Sequence, residues 1–68
     1  MLIKRSFALA GHRTSVALEA EFWAVLDAIA ASRAIKLAHL VAEADAARDP
    51  NTPLASVLRV LALQSSHF

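Results

Sequence analysis

Sixty-eight residues with no cysteine and a net charge of +1 make one domain at most, and they exclude a disulfide framework or a thiolate metal site. The chain is 57% hydrophobic, sixteen alanines included, and a core this small is marginal alone, so the excess points to burial shared between copies. Charged residues interrupt every apolar run before the roughly 18 to 20 residues of a membrane span, and MLIKRSFALAGH places its basic residues too late for a good signal peptide, so a cytoplasmic protein with no membrane partner is expected.

The chain opens on residues 3–10, where Ile3, Phe7 and Leu9 fall at odd positions and Arg5 interrupts them. This weak alternation fits a first strand or a surface arm. Gly11, the only glycine, marks a turn or a close backbone approach. Residues 13–18 then alternate cleanly, with Thr14, Val16 and Leu18 on one face and Arg13, Ser15 and Ala17 on the other, as a half-buried strand does.

From Glu19 the period becomes helical. Helix A is expected over 20–32, with Phe22, Leu26, Ile29 and Ala30 on one face, Trp23 on its flank, and Glu19 and Glu21 opposing the helix dipole. Helix B, over 36–48, carries Leu37, Leu40, Val41 and Ala44 as its apolar stripe. RDPNTP breaks the chain. Helix C, over 53–63, starts with Thr52 as N-cap and Pro53 at the first helical position, and its stripe is Leu54, Val57, Leu58 and Leu61.

The charge is unevenly placed. Residues 1–18 hold Lys4, Arg5 and Arg13 without an acid, whereas all six acids lie from Glu19 onward. A strand at 13–18 also needs a partner for its edges, and AGH lacks the Asn-Gly or Asp-Gly pair that short hairpins favour. The more economical partner is the same strand of a second copy. Such an antiparallel ribbon turns Arg13 and Ser15 outward, and a two-stranded ribbon is one of the elements that fit the DNA major groove.

The order strand, helix, helix, with RTSVALEAEFW at the first junction, resembles the ribbon-helix-helix DNA-binding proteins. KRS at 4–6, GHRTS at 11–15, LE at 18–19, FW at 22–23, LVAE at 40–43 and LRV at 58–60 resemble a compact bacterial subfamily with a third helix. The implied fold class is mostly α with one N-terminal β-strand: an intertwined homodimer with an intermolecular antiparallel ribbon, plus the third helix. The implied partner is double-stranded DNA, read by Arg13, Ser15 and Ala17, with Lys4, Arg5, His12 and Lys36 toward phosphates. Val16, Leu18, Phe22, Leu26, Ile29, Leu37, Leu40 and Val41 would form the dimer core.

Two positions depart from the family pattern. Alanine at 17 replaces a polar residue, and Ala34-Ile35-Lys36 replaces the glycine and hydroxyl residue that end the first helix and cap the second.

Other functions fit less well. Trp23 beside Phe22 is read as packing rather than a stacking platform. His12, His39 and His67 match no zinc spacing, so no metal or cofactor is expected, and no framed nucleophile or glycine-rich loop supports an enzyme. The expected function is a sequence-specific DNA-binding transcriptional regulator, a repressor; the alternatives are a dimeric interaction module with weak or lost DNA binding and an antitoxin-type autoregulator. Leu63, off the stripe of helix C, leaves room for a higher oligomer.

Overall fold

The computed structural model describes residues 1–65. The expected reading of His67 lies outside them. Two strands, β1 (Leu2–Leu9) and β2 (His12–Glu19), are followed by three helices, α1 (Ala20–Ser32), α2 (Leu37–Ala47) and α3 (Leu54–Ser65).

The first correction concerns the number of strands: where one N-terminal strand was expected there are two, and within the chain β1 pairs antiparallel with β2 from Leu2 opposite Glu19 to Leu9 opposite His12. Ala10 and Gly11 close the hairpin with φ of +49° and +83°. Two successive positive φ values are the pattern of a type I′ turn, whose twist suits a two-residue hairpin loop. Alanine tolerates this at a cost of about 1–2 kcal/mol. Phe7 and Leu9 become buried when β1 folds back, and each contributes about 1.5–3 kcal/mol, so burial outweighs the poor turn residue.

Arg5 interrupts the odd-numbered apolar residues because it lies on the helix-facing side and is still satisfied there. Its guanidinium carbon sits 4.8 Å from the Trp23 ring centroid, and its Nη1 donates to Asp27 at 3.1 Å. Trp23, expected on the flank of α1, is instead central and 1% exposed. Its Nε1 donates to the Ile3 carbonyl at 2.7 Å, tying the start of β1 to α1.

The end of α1 shows how the chain manages without a glycine. Ala34 takes φ +56°, the Ile35 amide donates to the Ala30 carbonyl at 3.0 Å, and the Ala34 amide to Ala31 at 3.1 Å. These two bonds around a left-handed residue form a Schellman motif, completed by Ile35 packing against the core. Helix α2 begins after Lys36, whose carbonyl accepts from the His39 and Leu40 amides and whose side chain makes no capping bond. Beyond α2, the Asp49 carboxylate accepts from the Asn51 amide at 2.8 Å, and Arg48 donates to the Thr52 carbonyl at 3.0 Å. The Pro53 carbonyl accepts from the Ser56 and Val57 amides, which starts α3 one residue later than expected, and the helix runs on to Ser65.

All five elements contribute to one core: Phe7 and Leu9, Val16 and Leu18, Trp23, Leu26 and Ala30, Leu40 and Val41, then Leu54, Leu58 and Ala62. Of the residues expected to form a dimer core, Val16, Leu18, Leu26, Leu40 and Val41 are buried within the chain itself, while Phe22, Ile29 and Leu37 are half-buried against its core.

Candidate nucleic-acid interface

Strand residues two apart share a face, and residues directly opposite across a ladder project to the same side. Because Phe7, Leu9, Val16 and Leu18 are buried, the residues that alternate with them, Lys4, Ser6 and Ala8 of β1 and Arg13, Ser15 and Ala17 of β2, point away from the helices. In register, that outer face has Lys4 opposite Ala17, Ser6 opposite Ser15, and Ala8 opposite Arg13. Lys4, Ser6, Ala8, Arg13 and Ser15 are exposed and Ala17 is half-buried. The face is therefore a small polar array, with one cation at each end of a diagonal and two hydroxyls between them.

Arg13, Ser15 and Ala17 lie together on it, as the alternation along β2 requires. Lys4 joins them from β1. The remaining residues expected near phosphate are placed differently. Arg5 lies on the opposite face, its charge engaged by Asp27. His12 is exposed at the hairpin end, opposite Leu9. Lys36 is exposed at the head of α2, the helix that packs against β1.

Ser6 is the residue that sequence reasoning passed over. Its Oγ lies 2.9 Å from that of Ser15 in a hydrogen bond that either hydroxyl can donate. The signal was present in the chain: Lys4 and Ser6 occupy even positions between the odd apolar residues of β1. It could be used only once β1 was known to pair with β2, since an arm gives those positions no common face.

The acids stand off the centre of the array. Glu19, at the far end of β2, bonds Arg59 of α3 at 3.1 Å. Its own backbone amide and that guanidinium hold its carboxyl below the ordinary range, against a smaller opposing effect of desolvation. Arg59 also lies over the Phe22 ring, 5.8 Å from its centroid, so α3 is pinned to the junction of β2 and α1. Glu43 is paired with Arg33 through two bonds of 3.0 Å and with His39 at 3.0 Å. The Arg33 bond, aided by His39, lowers the Glu43 carboxyl, and the same pairing raises Arg33.

No group of three metal-ligating side chains occurs among the described residues, and no described helix is long and apolar enough to cross a membrane. The arrangement offers hydrogen-bond donors, acceptors and positive charge on an exposed ribbon rather than a nucleophile and base in a pocket.

Compared with known proteins, residues 2–66 match the family model described as the ribbon-helix-helix domain. Neither the curated proteins nor the solved structures include a significant match to the chain.

Proposed function

From the premise that the chain belongs to the ribbon-helix-helix domain family, we propose that it is a sequence-specific DNA-binding homodimer acting in the cytoplasm as a transcriptional repressor. The family is generally one of DNA-binding transcription regulators rather than enzymes, and its domains typically bind DNA as dimers. The observation that carries the reading is the outer face of the hairpin: Arg13 and Ser15 are exposed there while the apolar residues of the same strand are buried beneath.

Two strands about 4.8 Å apart fit a major groove about 12 Å wide. Arg13 can donate a bidentate pair to guanine, Ser15 can bond several bases, and the Ala17 methyl can meet the thymine methyl. Lys4, His12 and Lys36 supply positive or donor groups for phosphates, which set affinity and position more than sequence preference. Exposed Val60 and Leu63 on α3 support association with a second copy through a surface separate from the chain's own core.

The experiment is retention of random duplex DNA by the wild-type protein and by Arg13→Ala. Arg13→Ala is expected to lose about 1–3 kcal/mol at one contacted base and to remain folded. Absence of any retention by wild-type protein at low salt and micromolar concentration refutes DNA binding. A monomeric mass by light scattering at that concentration refutes the dimer.

The engagement of Arg5 by Asp27 favours a second reading, a dimeric interaction module with little DNA affinity, because it removes one of the basic residues from the outer face. The same retention experiment separates the two.

A further inference from the structure

We propose that the outward face of α3 docks on the same face of another copy, α3 against α3, and joins dimers of the chain into larger assemblies. The inference rests on the homodimer reading above and adds a second contact, one that uses neither strand of the hairpin.

Helix α3 buries Leu54, Leu58 and Ala62. The helical period turns Ser56, Val60 and Leu63 to the opposite side, where all three are exposed. Val60 and Leu63 leave 51% and 62% of their surface open, while Val57 and the other leucines of α3 are buried or half-buried. A helix that serves only as a lid over its own core places polar residues at such positions.

Charge decides which partner fits. Arg59 is the one charged residue of α3, and it is held on the flank by Glu19 at 3.1 Å and over the Phe22 ring. The outward face therefore has no cation for a phosphate or an anionic headgroup. The other helices differ, since α1 turns Glu21 and Asp27 to solvent and α2 turns His39 and Glu43. A surface that meets its own copy about a twofold axis brings each charge near its like, which opposes docking. Of the three helices, α3 is the one whose outward face avoids that repulsion.

The shape is self-complementary as well. Beside Val60 runs a shallow groove of about 300 Å³, lined by the row Ser56, Val60 and Gln64 and by the row Val57 and Leu61. Residues four apart form the ridges of a helix, and helices pack by seating a ridge of one in a groove of the other. Because one face carries both features, Val60 of each copy can enter the groove of its partner, as a twofold contact requires. The twelve residues of α3 span about 18 Å and offer a strip of roughly 200–400 Å². A stable complex buries about 800 Å² per partner. The contact is too small to hold a dimer by itself and suits dimers already held elsewhere, brought together at high concentration or side by side on one DNA.

The test is light scattering of the full chain from micromolar to near-millimolar concentration, with wild-type protein, the double variant Val60→Gln with Leu63→Gln, Val60→Glu and Val60→Lys, each checked for native circular dichroism. Wild-type mass is expected to rise beyond two chains as concentration increases. The double glutamine variant, with its apolar contact removed and its charge unchanged, should stop at two chains and still retain duplex DNA. Val60→Glu and Val60→Lys should each stop at two chains alone. Their equimolar mixture should exceed two chains, because a face that meets itself brings position 60 of one copy near position 60 of the other. Wild-type protein that stops at two chains, a glutamine variant that still exceeds two, or a mixture that does not, overturns the α3 contact and leaves the DNA-binding dimer standing. A wild-type mass of one chain throughout removes the dimer and, with it, the contact built on it.

Discussion

Ala34 occupies the left-handed position of the Schellman motif with φ +56°. An L-residue with a Cβ there costs about 1–2 kcal/mol relative to its ordinary backbone. Glycine removes that cost and adds about 0.4–1 kcal/mol through the greater freedom of the unfolded chain. The Ala34 side chain is exposed, so replacing it removes no buried methyl. Ala34→Gly should therefore stabilise the protein by about 0.5–1 kcal/mol, or about 2–8 °C in Tm for a chain of this size. Ala28→Gly supplies the opposite sign: it lies within α1 and is also exposed, and should destabilise by about 1 kcal/mol. Urea unfolding followed by fluorescence of buried Trp23 measures both, at one protein concentration because association would add its own stabilisation. If Ala34→Gly lowers stability with an unchanged m value, the left-handed closure of α1 is not what terminates the helix.

Trp23→Phe removes the donor to the Ile3 carbonyl and weakens the surface on which Arg5 stacks. It should cost about 1–3 kcal/mol, seen by circular dichroism in urea, and should speed amide exchange near the start of β1 more than in α3. Unchanged exchange there would show that Trp23 does not anchor β1. Glu43 has a carboxyl lowered by Arg33 and, less strongly, by His39. A folded value below the unfolded one contributes stability above the ordinary 4.5 and loses it as pH falls through the lowered value. The stability advantage of wild type over Glu43→Gln should therefore shrink on acidification below that range; an advantage that grows there contradicts the pairing. Leu18→Ala, at a fully buried position, should cost about 2–5 kcal/mol and lower the urea midpoint. A loss below 0.5 kcal/mol would contradict its place in the core.

Much of the local structure was legible. The change from period two to a helical period at Glu19 coincides with the start of α1 at Ala20, because each period follows from backbone geometry within a few residues. The outward placement of Arg13 and Ser15 was legible for the same reason. The role of Arg5 was not. Its contacts with Trp23 and Asp27, 18 and 22 residues along the chain, exist only because β1 returns across α1. Ser6 was hidden for a related reason, since a hydroxyl two residues beyond Lys4 acquires meaning only when Ser15 faces it.

The sequence by itself determined where strand gives way to helix, which β2 side chains face away from the core, and where positive charge concentrates, because alternation, helical period and charge order are properties of neighbouring residues. The tertiary structure decided that the first residues form a strand, β1, paired along one edge of β2. Turn chemistry argued against the hairpin, but a strand edge accepts any geometrically suitable partner. Burial of Phe7 and Leu9 against the helices outweighs the strain at Ala10, and only the packed arrangement reveals that balance.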